Sequence, residues 1–93
     1  MSGMIKEDIV IRNEEIAFGE MDGEIVMMNI EIGNYYSLGK TGSAIWNLLD
    51  KPIKVESLIN EMLRKYNVTR EQCEKEVISF LEELKKEGLI IVK

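Results

Sequence analysis

The stretch that decides the fold is IAFGEMDGEIVMMNI, residues 16–30. Two segments rich in apolar residues flank Asp22-Gly23, and this dipeptide favours a hairpin because a type I′ turn needs positive φ at both central residues. Gly33-Asn34 follows, and beyond it Tyr35-Tyr36-Ser37-Leu38 favours a third short strand. The sequence therefore predicts a three-stranded antiparallel meander in the front half of the chain.

The back half of the chain has helical periodicity instead. Apolar residues recur at intervals of three and four within residues 44–49, 55–66 and 73–84. This spacing is typical of helices that bury one face. Thr69, with Gln72 three residues later, has the capping-box pattern that begins a helix. Three helices are therefore expected after the strands.

The ends of the chain have weaker signals. Gly88 marks the end of the third helix, and residues 89–92 are apolar but too few for a core helix, so they must pack along the sheet or the helices. Residues 1–14 are expected to form an N-terminal extended segment and residues 15–93 a single domain. The predicted class is α+β, with a three-stranded antiparallel sheet followed by three helices in a winged helix-turn-helix-like arrangement.

Composition argues against several functions. The 93 residues include 12 basic and 17 acidic residues, for a net charge of -5, whereas affinity for nucleic acid comes from cationic side chains. The chain contains no His, which removes the usual general base near neutral pH and the commonest metal ligand. A domain this small also has little room for an enclosed substrate pocket. We therefore expect no enzymatic activity, no cofactor, no metal and no nucleic-acid partner.

The single cysteine and the lengths of the apolar runs indicate where in the cell the protein is expected. Cys73 is the single cysteine and cannot form an internal disulfide, which indicates a reducing compartment, by default the cytoplasm. By helical spacing it shares a side with Val77, Phe80 and Leu84, as a small core residue would. No apolar run approaches the roughly 18–20 residues of a membrane span, and the N-terminus has no signal-peptide core. No membrane association is expected.

One apolar side chain and one strand edge are not explained by the packing of the core. Ile78 lies outside the centre of the apolar arc of the third helix, beside Glu74 and Lys85. The third strand is expected at a sheet edge, yet residues 35–38 include neither the charge nor the proline that usually protects an edge. The edge is either protected by its brevity or open to an added peptide strand.

Six short motifs follow one another along the chain: Val26-Met27-Met28, Gly33-x-Tyr35-Tyr36-x-Leu38, Gly42, Ile45-Trp46-x-Leu48-Leu49-Asp50, Val55-x-x-Leu58 and Val77-x-x-Phe80-Leu81-x-x-Leu84-x-x-x-Gly88-Leu89. Their order and spacing resemble the PqqD family over about residues 15–92. Those small domains recognise the precursors of ribosomally made peptide natural products. Many members have Asn, Gly and Thr where this chain has Gly39, Lys51 and Lys54. The Tyr35-Tyr36-x-Leu38 and Ile45-Trp46-x-Leu48-Leu49-Asp50 motifs are most similar to stand-alone members of lasso-peptide pathways.

The resemblance implies a noncatalytic module that binds the leader segment of a precursor peptide as an added antiparallel strand. The leader would lie on the third strand, in a groove against the third helix. It would then be presented to a separate leader peptidase or a radical SAM-type modifying enzyme. The residues implied for peptide binding are Tyr35, Tyr36, Ser37 and Leu38 on the strand and Glu74, Val77, Ile78, Leu81 and Lys85 on the helix.

Two other functions stay open on the sequence. The arrangement of helices suits a DNA-binding regulator, although residues 69–88 include four basic and six acidic residues. An unprotected edge also suits a structural domain that associates with itself. For the leader-binding function, the net negative charge predicts leaders that carry Lys or Arg near their ends, with a preference that is stronger at low salt.

Overall fold

The computed structural model of the chain describes residues 3–29 and 33–93. The α+β class is confirmed, with an antiparallel three-stranded sheet followed by three helices. The elements are β1 (Ile9–Arg12), β2 (Ala17–Met21), β3 (Glu24–Asn29), β4 (Asn34–Ser37), α1 (Gly39–Leu48), β5 (Ile53–Lys54), α2 (Val55–Lys65), α3 (Arg70–Lys86) and β6 (Ile90–Val92).

The predicted hairpin and meander are confirmed. β2 and β3 pair antiparallel up to the two-residue turn at Asp22-Gly23, where the φ angles are +55° and +82°. Positive φ at both positions is the requirement of a type I′ turn. β4 pairs with the other side of β3, with Ser37 opposite Val26, so the strand order is β2-β3-β4. β4 is therefore an edge strand.

A second sheet, which the sequence does not predict, joins the two ends of the chain. β1 is its central strand, antiparallel to β5 on one side and β6 on the other. The apolar tail is accordingly a strand, and Val10 at the centre of the sheet is fully buried. The division of the chain between residues 14 and 15 stays a prediction.

The limits predicted for the third helix are confirmed. The Thr69 hydroxyl oxygen accepts a hydrogen bond from the Gln72 N–H at 3.2 Å, which satisfies one free donor of the first turn. At the other end Gly88 has φ +75° and the Leu89 N–H donates to the Leu84 carbonyl. This six-to-one bond is the Schellman closure that needs a left-handed residue.

The core draws side chains from all three helices and from β1, β3 and β6, with Trp46 and Leu49 fully buried. A buried hydroxyl joins the start of α1 to β3. The Ser43 oxygen accepts from the Ile25 N–H at 2.7 Å and its hydrogen is donated to the Gly39 carbonyl. This link fixes the point at which β4 leads into α1. Within residues 3–29 and 33–93, each helix falls short of the length and apolar character needed to cross a membrane.

Candidate functional site

Among the strands of the described residues, β4 has a hydrogen-bonded neighbour on one side only. Its partner is β3, and no strand of the described residues lies along its other side. The Leu38 N–H donates to the Ile25 carbonyl at 2.9 Å, so this opposed pair is of the hydrogen-bonded kind. Because such pairs alternate along an antiparallel ladder, the N–H and C=O groups of Tyr35 and Ser37 point away from β3. β4 therefore offers main-chain donors and acceptors to an added strand.

The side chains of these two residues lie on the sheet face that points away from the core. Tyr35 stands opposite Met28 and is 73% exposed. The Ser37 hydroxyl donates to the Glu24 carboxylate at 3.0 Å. Tyr36, between them, is paired with β3. The strand residues predicted for peptide binding are thus brought together along one open edge.

A groove separates the end of β4 from α3. One part is an opening of about 380 Å³ beside Ser37. A second cavity of about 230 Å³ shares Leu38 and Phe80 with the first and extends to Met62 and Tyr66 of α2 and its end. Phe80 stands where the two parts meet. The first part is lined by Ser37, Leu38, Phe80, Glu83, Leu84 and Glu87.

Gly42 lets the Phe80 ring lie against α1. A Cβ atom on Gly42 would come 2.9 Å from Cζ of Phe80 and 3.2 Å from Cβ of Leu38. Any side chain at residue 42 would have to displace the ring. Glycine inside a helix costs about 1 kcal/mol relative to alanine, so its presence here is explained by this close approach.

The rim of the groove is acidic. Glu76 lines the inner cavity, and Glu83 and Glu87 line the part beside β4. None of these three has a cationic partner within 4 Å among the described residues. The ion pairs found there join Lys6 and Arg70 to Glu74 and Arg64 to Glu61. Glu76 accepts a hydrogen bond from the Gln72 side chain at 3.1 Å, so within the described residues Glu83 and Glu87 are the rim carboxylates available to a bound molecule.

Cys73 is a buried residue that lines the inner cavity. Its thiol sulfur is 3.7 Å from the Ile59 carbonyl oxygen. Burial, and then the negative charge of Glu76, raise the pKa of the Cys73 thiol. The thiol is therefore uncharged at neutral pH and serves as a small core side chain. Within residues 3–29 and 33–93, no cluster of His, Cys, Asp and Glu is arranged to hold a metal ion.

The residues predicted on the helix wall fall into separate places. Val77 is buried and lines the inner cavity together with Leu38. Leu81 is fully buried in the core. The other three, Glu74, Ile78 and Lys85, lie on the opposite side of α3 from the groove. Their contact with a peptide, like that of the remaining residues implied by the resemblance, stays a prediction.

The geometry of α3 places Ile78 and the groove beside β4 on different sides of the helix. Ile78 and Phe80 are two residues apart and hence about 200° apart around the helix, and Phe80 is the one beside β4. The N-terminal segment covers the side of Ile78: Glu74 pairs with Lys6 at 3.1 Å and Glu82 accepts from the Met4 N–H at 3.1 Å. Ile78 is half-buried there and packs against the hydrophobic core.

Phe80, Glu83 and Glu87 are not among the site residues that the sequence predicts. Phe80 has the spacing of a core residue, and the two glutamates have the spacing of a solvated helix face. The one local signal is Gly42, because a glycine inside a helical pattern often marks a close contact. That signal identifies a crowded position but not the residue that crowds it.

The fold and the open edge define a class of protein: a small α+β domain whose edge strand faces a helix across a groove. The chain matches the sequence profile described as Coenzyme PQQ synthesis protein D (PqqD) over residues 24–90. This match spans well over half of the chain, and the chain belongs to the PqqD family. The resemblance found in the sequence motifs is confirmed.

Solved structures with the same fold include two leader-peptide complexes. TbiB1 in complex with the TbiA(β) leader peptide has 26% identity and a TM-score of 0.77, covering 86% of this chain and 93% of TbiB1. A lasso peptide synthetase B1 complexed with the leader peptide has 20% identity and a TM-score of 0.71, covering 88% of this chain and 96% of that one; it supports the fold. No curated protein sequence matches significantly.

Proposed function

We propose that this protein binds the leader segment of a ribosomally synthesised precursor peptide in lasso-peptide biosynthesis, without catalysing a reaction itself. The leader lies on β4 as an added antiparallel strand and fills the groove against α3. The observation that carries the proposal is the outward-pointing main chain of Tyr35 and Ser37 beside a groove floored by Leu38 and Phe80. The leader complexes of TbiB1 and of the synthetase B1, which share the fold, support it.

Main-chain pairing alone is too weak for tight binding. Tyr35 and Ser37 offer two N–H and two C=O groups, and four such hydrogen bonds contribute about 2–6 kcal/mol, against the roughly 8 kcal/mol of micromolar affinity. A disordered leader also loses conformational freedom on docking. The remaining free energy has to come from apolar leader side chains buried against Leu38 and Phe80, at about 25 cal/mol per Å². Main-chain bonds then set the register and the groove sets the specificity.

The bound leader has to reach a catalyst. We infer that the protein presents the leader to a separate leader peptidase or a radical SAM-type modifying enzyme, because the leader on β4 leaves the rest of the precursor free. A cytoplasmic location stays a prediction. A DNA-binding function is disfavoured by the unpaired glutamates along α3, since like charges repel a phosphate backbone.

The test is an NMR titration of the isotope-labelled protein with the leader of its cognate precursor peptide. We expect micromolar or tighter binding, shifted amide signals at residues 35–38 and around Phe80, and slower hydrogen exchange at Ser37. A scrambled peptide of the same composition is the control. Shifts confined to α2, or no binding at high micromolar leader, would contradict the proposal.

Self-association is measured in the same samples. Multi-angle light scattering reports the mass of the free protein over a range of concentrations. If the edge strand pairs with a second copy, the mass rises towards a dimer and the added leader does not lower it. If the edge accepts the leader, the leader-bound protein is a monomer at every concentration.

A further inference from the structure

We propose that the groove selects leaders that carry a Lys or Arg side chain directed at Glu83 and Glu87, beside the segment paired with β4. This inference rests on the proposed function and adds to it the chemical class of one leader residue. It concerns a particular place in the groove, not the net charge of the whole protein.

The opening beside β4 has an apolar floor and an acidic rim, which together suit a long cationic side chain. Ser37 and Leu38 form one wall, and Glu83 and Glu87 form the opposite rim of the same opening of about 380 Å³. Phe80 and the neighbouring Leu84 lie between them. Lys and Arg side chains pack their methylene groups on apolar surface and keep the charged end at a polar rim. A side chain that leaves the paired strand towards α3 meets these two surfaces in that order.

The two carboxylates have no ionic partner within residues 3–29 and 33–93. Among the described residues, neither Glu83 nor Glu87 forms an ion pair, although Lys85 and Lys86 share the last turn of α3. Glu74, on the opposite side of the same helix, lies within 3.5 Å of two cations. The glutamate on the side of the N-terminal segment is therefore neutralised by cations. Glu83 and Glu87, on the side of the groove, are not.

Their position is also expected to lower the stability of the free protein. Glu83 lies in the last turn of α3 and Glu87 is its C-cap, where the helix carbonyls carry partial negative charge and disfavour anions. Like charges four residues apart repel one another as well. A bound cation relieves both effects. Neutralising the two residues is thus expected to stabilise the fold while it weakens binding, and the opposite signs separate a binding role from a structural one.

The test compares two double variants in a selection from a random-peptide display library. Glu83→Gln with Glu87→Gln removes the rim charges. Glu7→Gln with Glu15→Gln makes the same change in net charge at exposed side chains that have no hydrogen bond or ion pair among the described residues. We expect Lys and Arg to be enriched at a fixed position in peptides selected by the wild type and by the control variant, and not by the rim variant.

Affinities of the best wild-type peptide make the result quantitative. We expect the rim variant to bind about three- to tenfold more weakly than the wild type, from two ion pairs of surface strength. The control variant should bind as the wild type does. The difference should shrink markedly between about 50 mM and about 500 mM salt. Thermal unfolding of the rim variant should occur at the wild-type temperature or above it.

The outcomes separate this inference from the function on which it rests. Selected peptides that shift the amide signals of residues 35–38 but show no basic enrichment would overturn the inference and leave leader binding standing. Equal affinity of wild type and rim variant would do the same. If no peptide is selected, or if the selected peptides leave residues 35–38 unshifted, the proposed function fails and the inference fails with it.

Discussion

Replacing Ser37 by proline removes one main-chain donor from the open edge of β4 and leaves the pairing with β3 in place. The Leu38 bond to the Ile25 carbonyl sets the alternation, so the Ser37 N–H points outward. Proline is tolerated in an edge strand at such a position. Ser37→Ala is the matched control, because it loses the same hydroxyl contacts with Glu24 and the Gly39 N–H but keeps the donor.

The expected magnitude follows from one hydrogen bond. A main-chain bond contributes about 0.5–1.5 kcal/mol net, which is roughly a two- to twelvefold change in Kd. The proline ring also occupies space that the added strand needs. We therefore expect Ser37→Pro to bind the leader at least about threefold more weakly than Ser37→Ala. Isothermal titration calorimetry measures both affinities, and circular dichroism checks that both variants unfold at similar temperatures.

Two results would refute this reasoning. If folded Ser37→Pro and Ser37→Ala bind the leader equally well, the leader does not take a hydrogen bond from the Ser37 N–H. If Ser37→Ala is weakened as much as Ser37→Pro, the hydroxyl contacts hold the site and the main chain does not.

Three further outcomes are expected. Ser43→Ala leaves the Ile25 N–H buried without its acceptor and should lower the free energy of unfolding by about 1–3 kcal/mol in urea; a loss under about 0.5 kcal/mol would contradict the role of this link. Phe80→Ala should weaken leader binding by roughly tenfold, because it removes apolar contact. Ile78→Ala should leave the affinity near that of the wild type. Equal losses in the two variants would show that the leader does not bind on the Phe80 side of α3. The pKa of the Cys73 thiol is raised in the folded protein, so the thiol of the unfolded chain loses its proton at a lower pH. The free energy of unfolding should therefore fall from about pH 8.5 upward. Cys73→Val should remove this part of the fall when denaturation is measured as a function of pH.

Local chemistry made the meander and the helix limits predictable. The turn at Asp22-Gly23 and the cap at Thr69 each depend on residues within a few positions of one another, so their geometry is encoded where it occurs. The second sheet is different. β1 and β6 have three or four residues each and come from opposite ends of the chain. Strands this short have no periodic signal of their own, and their pairing is decided by the packing of the whole domain.

The helix wall was predictable in part, and the limit has a physical cause. Periodicity locates the centre of a buried arc, as it does for Val77 and Leu81, but both flanks of the arc look alike from the sequence. One flank is covered by residues 3–6, which hold α3 through Glu74 and Glu82. That segment is only four residues long, so no pattern in it indicates which flank it covers. The side that faces β4 is known only once the segment is placed.

The acidic rim also bears on how the protein keeps an unprotected edge from pairing with itself. An open edge strand is a liability in any soluble domain, and β4 has no charge among residues 35–38. Two copies joined edge to edge at β4 would bring Glu83 and Glu87 of both into one interface, where like charges repel. The charges that favour a basic leader thus oppose a second copy. Salt should then weaken leader binding and strengthen self-association, and analytical ultracentrifugation of the free protein at low and high salt measures the second effect. A dimer that dissociates as salt is raised would show that the rim does not protect the edge.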